Sequence, residues 1–247
     1  MLDDDLALSL DDLSGLLTST NSLEVTLVRI AELAVKAIPG AQAAGLTLLE
    51  PDRPQTVVAT DPFVQEVDDV QYGLGEGPCL AAVALGATVS SGNLGGDNRF
   101  PRFGPQAGRL GVHSVLSVPL LVDASPIGVL NIYARARDSF GAEAVRFGEA
   151  FAGPAAVSVA NAQALARAGR LVGQLSQALS SRAEIDQAIG ILMSRTGGTS
   201  DEAFTRLRTA SQQRQVKLQQ VARELVAAAV GRARDRRSDR LPVPDSG

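Results

Sequence analysis

The sequence predicts an α+β chain: an antiparallel sheet covered by helices, then a long connecting helix and a C-terminal three-helix module. Three observations lead there. Two pairs of apolar runs rich in Val, Leu and Ile, each pair joined by a turn-prone linker, lie between helical stretches in the first part of the chain. An apolar spacing of alternating threes and fours then runs from Ala168 to Leu192. A double glycine and a helix-start signature follow directly.

In chain order, Leu13, Leu16, Leu17, Leu23, Leu27, Ile30, Ala31, Leu33 and Ala34 give a helical amphipathic pattern, which Pro39-Gly40 stops. Residues 43–49 and 55–60 read as strands, with Glu50-Pro51-Asp52-Arg53-Pro54 as the turn of an antiparallel hairpin. Residues 114–122 and 127–134 form a second hairpin across Asp123-Ala124-Ser125-Pro126, mostly apolar on both faces. Pro119 cannot donate to a strand ladder, so it predicts an edge position or a bulge. Short helices are expected around Leu80 to Leu85 and Phe103 to Leu110. From Gly141 an alanine-rich helix heads towards Arg167, where Pro154 predicts a kink or a new helical start.

The seam Ala168, Leu171, Leu175, Ala178, Arg182, Ile185, Ile189 and Leu192 suits a short coiled coil, so the helix joining the two halves, from about Ala155 to Met193, is expected to pair with a second copy. Burial of the same face inside the chain competes with that pairing. Gly197-Gly198 ends the helix, and Thr199 with Glu202 three residues later has the capping-box spacing, so a new helix starts at Ser200. Ala203, Phe204, Leu207 and Ala210 form its inward stripe, while Leu218, Val221, Ala222, Leu225, Val226 and Ala229 make a third amphipathic segment. Residues 231–247 mix Arg, Asp, Pro and Gly without apolar periodicity and read as a disordered tail.

Charge separates the two parts. Residues 1–170 carry a net charge of −8 and residues 171–247 a net charge of +4, so only the second part is suited to approach a polyanion. The exposed cations expected to neutralise phosphate are Arg206, Arg208 and Lys217. Gly190 sits inside a helical run at a cost, which close approach of another helix or of RNA would explain equally well. Met193 is read as core in preference to ligand contact.

Several chemistries are excluded or disfavoured. One cysteine, Cys79, forbids an intrachain disulfide, points to a reducing compartment and is read as a small buried residue rather than a redox thiol. One histidine, His113, rules out a histidine-rich metal site; it reads as a polar residue opening a strand rather than a haem ligand. Gly73, Gly75 and Gly77 lack the spacing of a phosphate loop and read as a turn. No GxSxG elbow accompanies the available Ser, His and Asp. We therefore expect no enzyme activity, no catalytic residues, no metal and no cofactor. The acidic N-terminus lacks the form of an export signal, and the longest uncharged run, residues 77–96, is broken by five glycines and a proline, so a cytoplasmic protein without membrane association is expected.

The order Arg182, Ile185, Gln187-Ala188, Gly190-Ile191-Leu192-Met193, Asp201-Glu202-Ala203-Phe204, Leu207-Arg208, Ser211, Lys217-Leu218 and Val221-Ala222 resembles an ANTAR domain. Two positions depart from the family's habit: Ile189 stands where many members carry lysine, and Gln215 where asparagine is frequent. Further upstream, Gln71-Tyr72, Gly75-Glu76-Gly77-Pro78-Cys79, Arg99-Phe100-Pro101, Gly111-Val112, residues 117–120 and residues 127–133 resemble a GAF sensory domain. The polar signature of cyclic-nucleotide-binding members is not visible.

The resemblance implies a GAF-like domain over residues 12–165, a coiled-coil helix and ANTAR-like module over residues 166–230, and the tail. It implies a signal-responsive regulator, with RNA stem-loops as target and Arg182, Gln187, Ala188, Gly190, Met193, Arg206, Arg208, Ser211 and Lys217 as candidate RNA contacts. A homodimer and an unknown small-molecule or protein signal at the GAF domain complete the expected partners. The alternative is a ligand-responsive interaction protein that regulates a protein partner.

Overall fold

A computed structural model describes residues 2–17, 22–49 and 54–238. The chain divides into two compact units between Arg167 and Ala168.

The first unit is built on a five-stranded antiparallel sheet of order β2-β1-β5-β4-β3, comprising β1 (Ala43–Leu49), β2 (Pro54–Ala59), β3 (Val89–Ser91), β4 (Ser114–Val122) and β5 (Ser125–Ala134). Both hairpins have the predicted pairing. Alternation divides each strand between two cores. Leu46, Leu116, Val118, Leu130 and Ile132 face α1 (Leu2–Leu17), α2 (Leu23–Ala37) and the start of α6 (Ala142–Thr196), where Leu13, Ile30, Phe147, Phe151 and Ala155 cover them. Val115, Val129 and Tyr133 face α3 (Pro62–Leu74), α4 (Pro78–Leu85) and α5 (Phe103–Arg109). Covering both faces explains why the second hairpin is apolar on both.

Pro119 fits its position. β3 pairs only with residues 115–117 of β4, which leaves the rest of β4 as an edge on that side, and the register shifts between Leu120 and Leu121.

Some elements differ from the expectation. The N-terminal helical pattern is divided into two helices, the second capped by the Ser22 hydroxyl, which accepts from the Val25 N–H at 3.3 Å. The whole of α3 was missed, although Asp61 at its N-cap, Pro62 in its first turn and a left-handed Gly75 at its end are all helix-boundary signals. α6 runs through Pro154 instead of restarting there: the proline lacks only one donor, and Phe151, Ala155 and Val159 on either side are buried against the first unit.

In the second unit the end of α6 packs with α7 (Ser200–Arg214) and α8 (Leu218–Ser238) around Ala188, Leu207, Val221 and Ala222. α8 extends through Ser238, so the first part of the expected tail is helical; residues 239–247 lie outside the described set. Among the described residues no helix is long and apolar enough to cross a membrane.

Candidate functional site

The C-terminal module is shaped by its two turns. Gly197 adopts φ +67° and its N–H reaches the Met193 carbonyl at 2.9 Å, closing α6. The capping box is formed as its spacing predicts: the Thr199 hydroxyl accepts from the Glu202 N–H at 3.4 Å, and the Glu202 carboxylate accepts from the Thr199 N–H at 2.9 Å. α7 ends with Gln215 in the left-handed region, φ +53°. There the Val216 N–H donates to the Ser211 carbonyl at 3.2 Å, and the Ser211 hydroxyl donates to the Val216 carbonyl at 2.6 Å.

These turns distribute the candidate RNA contacts unevenly. Arg206 and Arg208 are exposed on either side of buried Leu207, and Lys217 is exposed in the α7–α8 turn. Arg182, Gln187 and Gly190 are exposed on α6. Ala188 is fully buried and belongs to the module core, so its side chain is not available to a ligand. Ser211 spends its hydroxyl on the helix end. Met193, read as core, is 37% exposed, and Phe204, placed on the inward stripe, is 39% exposed. Phe204, three residues before Leu207, lies at the margin of the buried stripe.

Arg214 and Arg223 are neutralised within the module, by Glu224 at 2.7 Å and Glu184 at 3.2 Å, and both carboxylates are held below the ordinary glutamate range by these arginines. Arg182, Arg195, Arg206, Arg208 and Lys217 have no such partner among the described residues. Gln187 and Gly190 line a groove with Ile191, Ser194, Arg195 and Val226. Ser194 and Arg195 were not among the sequence candidates, although they lie seven and eight residues after Gln187, on the same helix face.

The expected seam is divided. Leu171 and Leu175 are 56% and 57% exposed and Ala168, Ala178 and Arg182 are exposed with them, whereas Ile185, Ile189 and Leu192 pack into the module core. Intrachain packing has taken the second half of the stripe.

A second site lies on the face of the sheet covered by α3 and α4, where sequence reading saw only apolar strands. Asp68 is buried, its Oδ2 accepting from Thr56 at 2.7 Å and its Oδ1 from the Tyr133 hydroxyl. Tyr72 bonds Thr47 at 2.7 Å and Thr56 at 2.8 Å; Asn131 donates to Thr47 at 3.2 Å and accepts from Ser117 at 2.8 Å. Burial raises the Asp68 carboxyl to about 6 against the pull of its two hydroxyl donors, and it pushes the Cys79 thiol up to about 11. Burial likewise raises both tyrosines. Cys79 is thus a protonated, buried thiol whose N–H donates to Gln71 Oε1 at 2.9 Å. Gln71 Nε2 is buried with no hydrogen-bond partner among the described residues.

The glycine-rich turn before α4 serves this site. A side chain at Gly77, φ +152°, would collide with the Gln71 amide, and Glu76 accepts from the N–H groups of Arg102 and Phe103 at 2.7 and 2.9 Å, fastening α5. His113 stands just before β4, its N–H donating to the Ala134 carbonyl at 3.1 Å. Among the described residues no group of three His, Cys, Asp or Glu side chains is placed to hold a metal ion.

A GAF domain family model matches residues 20–160, more than half of the chain. The chain belongs to the GAF domain family. An ANTAR domain model matches residues 173–226, which span the end of α6, all of α7 and the first part of α8. GAF domains sense signals and ANTAR domains act in RNA-binding antitermination, so the pair is a regulatory architecture. Among solved structures, the GAF domain of a phosphoenolpyruvate-protein phosphotransferase from Coxiella burnetii aligns at TM-score 0.51 and 18% identity, over 65% of this chain and 95% of that one. Its counterpart from Acinetobacter gives TM-score 0.50 and 18% identity, over 65% and 93%. Both likenesses bear on the fold alone. No curated protein matches the sequence.

Proposed function

We propose that this GAF–ANTAR protein is a cytoplasmic, signal-responsive RNA-binding regulator that promotes transcription antitermination by gripping hairpins in nascent RNA. The observation that carries the reading is the ANTAR match over a module whose Arg206, Arg208 and Lys217 stand exposed without internal anions. Such cations are free to replace the counterions of a phosphate backbone. The exposed stripe of Leu171, Leu175 and Leu179 supports pairing of two copies, and two linked modules gain effective concentration on a two-hairpin target. A signal at the GAF domain acts by binding one arrangement of the dimer better than another.

The test is a transcription reaction on a template in which paired hairpins overlap a terminator, with the full-length protein added. Readthrough that rises with protein and falls for Arg206→Ala and Lys217→Ala supports the reading. Unchanged termination together with no retention of hairpin RNA, in low salt, overturns it and leaves regulation of a protein partner. The exposed side chains Met193 and Phe204 would serve that second reading.

A further inference from the structure

The sheet face under α3 carries a chain of hydrogen bonds that runs one way while Asp68 is ionised. Ser117 on β4 donates to Asn131 Oδ1 at 2.8 Å, and Asn131 on β5 donates through Nδ2 to Thr47 on β1 at 3.2 Å. At the other end Thr56 on β2 gives its one hydrogen to Asp68 Oδ2 at 2.7 Å. Tyr72, 2.8 Å from Thr56 and 2.7 Å from Thr47, must then donate to Thr56 and accept from Thr47. Four strands are thus wired, donor by donor, to a single carboxyl on α3, whose other oxygen accepts from Tyr133. A proton on Oδ2 makes the acid the donor. The hydrogens of Thr56, Tyr72 and Thr47 then turn the other way, and that of Thr47 faces Cys79 Sγ, 3.8 Å from its oxygen.

Nothing in this cluster answers a negative charge on Asp68. The titratable groups around it are Asp69 and Tyr72 on its own helix, Tyr133 on β5 and Cys79 on α4. β1 and β2 contribute none, and α5 contributes only Arg109, which is exposed. Among the described residues no lysine, arginine or histidine side chain is bonded to any member of the cluster. The helix itself rests on bare backbone: a Cβ on Gly45 of β1 would stand 3.1 Å from Asp68 Oδ2 and 2.7 Å from Val64. Its far end is free by comparison. Gly73 and Gly75 there have nothing within 4 Å of an added Cβ, and Gly75 is left-handed at φ +64°.

We propose that Asp68 is a proton-operated latch for α3, which makes acidity an input to the GAF domain. Protonated, the carboxyl ties the helix to β2 and β5 as a neutral partner. Ionised, it is a buried charge without a countercharge, and α3 swings out about its glycine end to let water reach it. The closed carboxyl titrates at about 6, and a hydrated one at the ordinary 3.8. Opening is therefore rare and constant below pH 4, becomes more frequent as pH rises between those two values, and levels off above 6. The proposal concerns the first unit alone and stands whether or not the second binds RNA.

Hydrogen exchange of the full-length protein, followed by mass spectrometry at pH 5 and pH 7.5 and corrected for intrinsic rates, tests the latch. Peptides of α3, residues 62–74, should exchange ahead of those of β5, through an opening that dilute urea hardly alters. That opening should be about tenfold more frequent at pH 7.5 than at pH 5. Asp68→Asn, neutral throughout, should make it equal at the two. Tyr133→Phe removes a donor to the carboxylate and should carry the rise to higher pH, which keeps the test decisive should the asparagine variant not fold. The proposal is overturned if α3 exchanges only together with β5 in the global unfolding step, or if its own opening is equally frequent at both pH values in the wild type. A tenfold change retained in Asp68→Asn overturns it too, because another group would then be titrating.

Discussion

Tyr133 on β5 and Asp68 on α3 are joined by a hydrogen bond in which the phenol donates to a carboxylate that burial holds at about 6. Thr56 on β2 donates to the other oxygen, so one carboxyl ties a helix to two strands. Its folded-state pKa lies above the ordinary value of 3.8, so between those limits the folded chain holds a proton that the unfolded chain has lost. The contribution of Asp68 is therefore most favourable below pH 4 and is lost as pH rises through 6, by about 3 kcal/mol. Urea unfolding of the wild type and Asp68→Asn at pH 5 and pH 7.5 checks this. The variant should lose the part of the pH slope that Asp68 supplies, and equal slopes would refute the assignment.

The reciprocal cap of α7 should be measurable by itself. Thr199→Ala removes the hydroxyl that accepts from the Glu202 N–H and should cost about 1 kcal/mol, read as a lower urea midpoint of the helical signal. Thr199→Ser should cost little.

Gln215 holds a left-handed backbone that favours glycine or asparagine. Gln215→Gly or Gln215→Asn should therefore raise stability, by about 1 kcal/mol for the glycine. A fall in midpoint with either variant would show that the Gln215 side chain has a role of its own.

Leu171 and Leu175 are more than half exposed on the described chain. If they form the seam between two copies, Leu171→Glu with Leu175→Glu should yield a monomer in ultracentrifugation without altering the near-ultraviolet signal of the first unit. A dimer that survives both changes would place self-association elsewhere.

The arginines of α7 can be tested by salt dependence. Each of Arg206→Ala and Arg208→Ala should weaken hairpin binding across loop sequences and reduce the slope of log affinity against log salt by about 1. A loss confined to particular loops would instead mark a base contact.

Much of the fold was legible because its signals are local. The two hairpins carry strand propensity and turn chemistry within a few residues of each other, and Thr199 with Glu202 states the start of α7 in four residues. α3 was equally local and was passed over, since its acidic and glutamine-containing surface dilutes the spacing of Phe63, Val64 and Val67. The buried polar cluster was not legible: Asp68, Thr56 and Tyr133 stand on three elements, and only the sheet order brings them together. The same limit applies to Ala188, Met193 and Phe204, whose exposure depends on how far α7 and α8 wrap the end of α6.

Pro119 lies on the stretch of β4 that β3 leaves uncovered. A stray β-segment docking there would find one amide hydrogen missing from the ladder it needs, next to a shift in register. On this stretch of β4 the missing donor and the broken register together disfavour the addition of a further strand.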